Sequence, residues 1–229
     1  MNIADPRADL PYPVFYNFRR CPYAMRARLA IAAAGLPVEL REIELSHKPA
    51  DMLAVSPKGT VPVILFADGT VIEQSLDIML WALAQHDPQH WLAQRLDALS
   101  LIQQNDNDFK YYLDRYKYAD RYPEFAPLHY RQQGELFLAT LEQRLSHSRF
   151  LCGNDFGLAD AAILPFIRQF AAVDAAWFIG SPYAAVKTWL DNFLTSRLFA
   201  AVMRKYPPWK ADDPLVLFGS EAIPGLQLI

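Results

Sequence analysis

The signals for β-strands in this chain all fall before His86-Asp87-Pro88, and beyond that point only helical periodicities remain. A chain patterned this way builds a small sheet from its first third and a helical bundle from the rest, because strands and helices bury their apolar faces at different periods. Val14 to Asn17 is short, aromatic and apolar and reads as a strand. Pro22 to Ala34 is dense in good helix formers, and Gly35 suits the C-terminal cap. Val38, Leu40, Ile43 and Leu45 alternate with charged residues as a second strand. Val61 to Phe66 reads as a compact apolar strand closed by the Asp68-Gly69 turn, with Val71-Ile72 as its return. Ser75 is expected to cap a helix over LDIMLWALAQ. The first third therefore spells β-α-β, a connector, then β-β-α.

In the remainder, Leu92 to Tyr116 carries apolar residues at the spacing of one long helix, and Tyr130 to Leu145 those of a second, with Pro123 and Pro127 between them. A third begins near Gly157 and is apolar on nearly all sides, which marks it as central and buried, with a kink expected at Pro165. Shorter helices are expected over YAAVKTWLDNFL and SRLFAAVMRKY. These patterns predict a domain over residues 11–86, a helical domain over 92–210, and an irregular tail over 211–229. The fold class is α/β plus all-α.

Composition limits the functions on offer. The 22 basic and 25 acidic residues nearly balance, without a run of Lys and Arg, so nucleic acid is not an expected partner. No apolar run approaches the roughly 20 residues that cross a bilayer, and the first residues lack the pattern of a secretion signal, so a cytoplasmic location is expected. Two cysteines, Cys21 and Cys152, lie far apart in sequence, too few for a disulfide scaffold and without metal-ligand spacing.

Cys21 sits immediately before Pro22, where a strand ends and a helix begins. The unpaired N–H groups and the dipole of a helix start favour negative charge, and Pro at the first helical position loses no hydrogen bond. With cations such as Arg19, Arg20 or Arg26 nearby, a thiol in this place can fall from a pKa of about 8.5 to 7 or below. The thiolate is the form that attacks disulfides and electrophiles. Cys152, in the apolar run FLCG, reads as packing.

The segment from Tyr12 to Leu83 resembles the N-terminal domain of the glutathione transferases, and CPYAMRAR looks most like the cysteine-type, omega-like members. FGLADAAILPFIRQF is similar to that family's buried C-terminal helix and its cap, so the resemblance covers nearly the whole chain. It implies a thioredoxin-like glutathione-binding domain, a helical domain, glutathione as co-substrate with no metal, and a homodimer. It also implies site residues. Cys21 is the catalytic thiol; Pro62 is a cis-proline whose predecessor Val61 pairs with the ligand backbone as an added strand would. Gln74 and Ser75, at a helix start, would hold the γ-glutamyl carboxylate, and Lys48 the glycyl carboxylate. Tyr16 and Tyr23 rank below Cys21 as groups that act on a thiol.

Two departures from the family pattern stand out. Ala24 occupies the place of a second redox cysteine, so Cys21 has no local partner and a mixed disulfide must carry the cycle. Gly157 replaces a Ser or Thr helix cap, while Asp160 can still reach back to the Gly157 N–H. Phe109, Tyr112, Tyr116 and Trp177 could line a pocket for an apolar co-substrate, although aromatic stripes at helical spacing are more often core. Three functions remain open: thiol transfer through Cys21, conjugation of glutathione to electrophiles, and non-catalytic binding by a retained fold.

Overall fold

The computed structural model describes residues 11–220 and Ile223. These residues form two compact units, one made of the chain up to residue 88 together with residues 197 onward, the other of residues 89–196.

In the first unit the order is β1 (Val14–Asn17), α1 (Pro22–Ala34), β2 (Val38–Glu42), α2 (Ala50–Val55), β3 (Val63–Leu65), β4 (Val71–Ile72) and α3 (Ser75–Gln85). β1 and β2 are parallel, joined by the α1 crossover that parallel strands require. β3 runs antiparallel to β1 and β4 antiparallel to β3. The order follows the strand and helix signals, and the architecture is thioredoxin-like, as the family resemblance implies. Pro22 occupies the first turn of α1, and Gly35 closes the helix in the left-handed region at φ 65°. α2 falls within what sequence reading leaves as a connector; six residues are too few to show a helical period.

The C-terminal segment corrects two expectations. α10 (Arg197–Val202) belongs with the first unit and not with the helical domain, packing on α1. The tail, expected to be irregular, contains β5 (Leu217–Phe218), which pairs antiparallel with β2 and completes the five-stranded order β4-β3-β1-β2-β5. The Leu40 N–H donates to Val216 O at 2.8 Å and the Trp209 N–H to Glu42 O at 2.7 Å. Two residues of strand carry no readable alternation; their partner is the exposed edge of β2, which would otherwise present unpaired backbone groups. This cover also changes β2 itself. Its charged residues Glu39 and Glu42 are buried, so the alternation there does not separate core from solvent.

The second unit is helical: α4 (Arg95–Gln104), a π-helical stretch at Asn105–Phe109, α5 (Lys110–Lys117), α6 (Pro127–Leu145), α7 (Leu158–Ala171), α8 (Ala175–Gly180) and α9 (Ala184–Leu194). The long helix expected from Leu92 therefore starts later and contains a π-helical insertion. Pro127 opens α6 rather than merely separating two helices. α7 is buried along almost its whole length and runs through Pro165. Phe109 packs against Phe137 and Phe170 at ring-centroid distances of 5.0 and 5.3 Å, and Tyr116 against Phe170 at 5.2 Å, so these two rings belong to the core.

Asp160, in the first turn of α7, organises this unit. Its buried carboxylate accepts from the Gly157 N–H (3.1 Å), the Leu151 N–H (3.1 Å) and Trp189 Nε1 (2.8 Å). Burial pushes its pKa up to about 6 against the pull of these three donors. Asp160→Asn leaves at least one buried N–H without an acceptor and is expected to cost about 3 kcal/mol. The folded pKa lies above the unfolded one, so protonated Asp160 stabilises the fold most below pH about 4, and that contribution is lost as pH rises to about 6. Denaturant titrations of the two proteins across this range should show the wild-type advantage shrinking as pH rises.

Candidate active site at the start of the first helix

The topology gathers several chain ends at one end of the sheet. β1 ends at Asn17, and because β3 is antiparallel, its first residue Val63 lies opposite Tyr16. β4 returns to place Ile72 opposite Ile64, so α3 also begins at this end.

Cys21 is the N-cap of α1, half-buried, with extended backbone (φ −72°, ψ 126°). Its N–H donates to Phe18 O at 3.0 Å and its carbonyl accepts from the Met25 N–H at 3.0 Å, which fixes the turn that carries the thiol. The thiol donates to Val61 O at 3.7 Å. The Val61–Pro62 peptide bond is cis. Val61 precedes the paired part of β3, so its backbone stands outside the β-ladder.

The loop leading to Val61 is anchored to the start of α3. The Ser56 hydroxyl donates to the Glu73 carboxylate, and Lys58 Nζ lies 3.7 Å from the same carboxylate and donates to Glu73 O at 3.4 Å. Gln74 and Ser75 follow directly. Gln74 is the N-cap and Ser75 the first helical residue, so the expected capping by Ser75 is corrected: α3 has no side-chain cap, and its first N–H groups are left for another acceptor. Lys48 crosses the same loop. Gly59 has φ 61°, a left-handed conformation that favours glycine, and it lies against Lys48: a Cβ there would meet Lys48 Nζ at 3.4 Å and Leu53 Cδ2 at 3.1 Å. Among the described residues Lys48 makes no hydrogen bond or ion pair. The structure thus joins Cys21 to Val61, lays Lys48 over the loop that ends at Val61, and ties that loop to the residue before Gln74 and Ser75.

Tyr16 takes no part. Its ring is buried, and its hydroxyl accepts from Arg41 Nη1 at 3.2 Å. Burial holds the phenol above its usual pKa, opposed by the Arg41 guanidinium. Tyr23 lies beneath the guanidinium of Arg26, whose carbon is 5.5 Å from the ring centroid. Cys152 is a contrasting thiol: burial pushes its pKa up to about 12, with the Asp97 carboxylate adding to the effect, so it stays protonated.

Sequence reasoning missed the groups beneath the Cys21 turn. Arg28, buried two helical turns along α1, donates through Nη1 to Asn17 Oδ1 and through Nη2 to Arg19 O at 2.7 Å. Asn17 Nδ2 donates to Glu42 Oε2, and Glu42 Oε1 accepts from the Arg19 N–H at 2.7 Å. The one signal in the sequence was an arginine about two helical turns beyond Cys21 on a helix otherwise rich in alanine.

A thiol at a helix start beside the carbonyl of the residue that precedes a cis-proline, on a thioredoxin-like sheet followed by a helical unit, defines a class of thiol-bearing two-unit proteins. Comparison with known families narrows it. The glutathione S-transferase N-terminal domain model matches residues 15–90 and the glutathione S-transferase C-terminal domain model residues 113–192. The chain belongs to the glutathione S-transferase superfamily. It is 47% identical over 55 residues to a probable glutathione transferase of Aplysia californica, covering 24% of this chain and 60% of that one. To the glutathione S-transferase GstA of Escherichia coli O157:H7 it is 26% identical over 171 residues, covering 70% and 83%. A crystal structure of a glutathione transferase family member from Pseudomonas fluorescens, with two glutathione bound, superposes with a TM-score of 0.72 at 19% identity, covering 88% of this chain and 95% of that one.

Because the Tyr16 hydroxyl is occupied by Arg41, Tyr16→Phe should leave the alkylation rate of Cys21 within about twofold of wild type. Stability should fall by about 1 kcal/mol for the lost hydrogen bond. Rate measurements with iodoacetamide and a denaturant titration check both.

Proposed function

We propose that the protein is a glutathione-dependent thiol transferase in which Cys21 is the nucleophile. The observation that carries this reading is the position of the Cys21 sulfur, at a helix N-terminus and within reach of the Val61 carbonyl. The Cys21 thiolate attacks the glutathionyl sulfur of a mixed disulfide, forming a Cys21–glutathione disulfide and releasing the substrate as thiolate. A second glutathione thiolate then attacks that disulfide, returning Cys21 and leaving as glutathione disulfide. No net electrons are gained by the protein, and glutathione supplies the reducing equivalents.

Glutathione suits the surroundings. The Val61 backbone, outside the β-ladder, offers a strand-like edge to its cysteinyl amide groups. The uncapped start of α3 at Gln74 and Ser75 offers N–H donors to the γ-glutamyl carboxylate. Lys48, without a protein counter-ion among the described residues, offers its ammonium to the glycyl carboxylate. The Pseudomonas fluorescens family member holds glutathione in a fold of the same kind. As in its family generally, the active form is expected to be a homodimer.

A conjugating transferase would use the sulfur of bound glutathione as nucleophile instead. Cys21→Ala separates the two. Exchange with a glutathionylated disulfide should fall to background while any conjugation of an electrophile persists or rises; retained exchange would refute the proposal. Lys48→Met should weaken glutathione binding about tenfold, the loss of one charge-assisted contact, as read by calorimetric titration.

A further inference from the structure

Arg28 is an unusual residue for its position. It lies on an Ala-rich helix, is buried, and its Nε has no hydrogen-bond partner. A buried cation left incompletely satisfied lowers stability, and Met or Leu would pack there without that cost. Its two Nη groups both serve the β1–α1 connection. One holds the Asn17 side chain and the other the Arg19 carbonyl, two residues before Cys21.

The same connection is gripped from its other side. Glu42, on β2, accepts from the Arg19 N–H, so the Arg19 peptide units are held by a carboxylate on one side and a guanidinium on the other. The C-terminal segment closes over both ends of this network. Met203 Sδ lies 3.8 Å from Arg28 Nη2, and the Trp209 N–H donates to the Glu42 carbonyl at 2.7 Å.

Resting on the functional reading above, we infer that Arg28 is a positioning residue for the Cys21 thiolate, holding the Phe18–Arg20 turn through its fork and placing a buried positive charge behind the sulfur. Two further observations agree. Burial lowers the Arg28 pKa to about 10, so it remains charged at neutral pH, and Glu42 and the Cys21 thiolate both favour that charge. The charged and titratable groups facing Arg28 are Glu42 from β2, Cys21 at the head of α1, Arg19 in the turn, and Tyr206 after α10. Of these, Glu42 is the competing anion: it draws on the same cation, and burial raises its own pKa.

The direction of each effect follows from the charges. Removing the cation disfavours the thiolate and raises the pH at which Cys21 ionises; removing the competing anion does the reverse. The experiment follows iodoacetamide alkylation of Cys21 against pH at low ionic strength, with the modified peptide identified by mass spectrometry. It compares full-length wild type, Arg28→Met, Arg28→Lys and Glu42→Gln. In Arg28→Met the midpoint should rise by about one pH unit, the lower end of what one neighbouring charge does. Arg28→Lys, which keeps the charge, should recover most of that shift, and Glu42→Gln should lower the midpoint. A purely structural role would lower the melting temperature and leave the midpoint in place.

A folded Arg28→Met protein with the wild-type midpoint overturns the inference. Should Arg28→Met fail to fold, an unmoved or raised midpoint in Glu42→Gln overturns it instead. The functional reading fails separately, in wild type alone, if Cys21 there titrates as an ordinary thiol. A low wild-type midpoint that ignores position 28 removes only the role given to Arg28.

Discussion

The antiparallel pairing of β3 with β1 sets everything at the candidate site. With Tyr16 opposite Val63, the residues just before β3 must lie beside the residues just after β1. Val61 therefore meets Cys21 across a gap that a thiol can bridge, although 40 residues separate them in the chain. A register slip of one residue would turn the side chains of β3 to the opposite face of the sheet, taking Val63 and Leu65 out of the cluster they pack in and setting Ile64 there instead. Burial of those two residues in one cluster with Val14, Tyr16 and Met52 opposes that slip. The site is thus held by the same apolar contacts that hold the sheet.

Around that core the first unit buries more charge than its composition suggests. Arg28 and Glu42 lie under the Cys21 turn, while Glu39 takes the Arg41 Nε at 2.6 Å and Arg41 in turn lies 4.2 Å from the centroid of the Trp209 ring. Apolar side chains of equal volume would pack at lower cost in most such places. These groups instead define one arrangement of the turn and of the C-terminal segment, since both Nη groups of Arg28 and the Arg41 Nε each have a specific acceptor. The second unit uses a similar device at Asp160, where one carboxylate ties the loop before α7 to α7 and α9.

Much of this was legible in the sequence, and what was not has physical causes. β1 and α1 are readable to the residue because Pro22 and Gly35 punctuate them. The thiol at the helix start follows from the single pair Cys21-Pro22. Ser75 misled: its type suggests a cap, yet the helix starts one residue earlier than that role requires. β5 and α10 were placed wrongly because membership of a unit depends on what lies alongside, and the edge of β2 is invisible to local periodicity. Arg28 was overlooked for a related reason. A helix that is buried on every side has no polar face, so a charged residue on it reads as solvent-facing until the turn it serves is in view.

The central claim is that the backbone around position 21 makes one sulfur the reactive centre of the molecule. Mass spectrometry of the intact protein and its peptides after incubation with glutathione disulfide tests this most directly. The account predicts a single added glutathionyl group, located on Cys21, with Cys152 unmodified. Modification of Cys152 with Cys21 left free would contradict it.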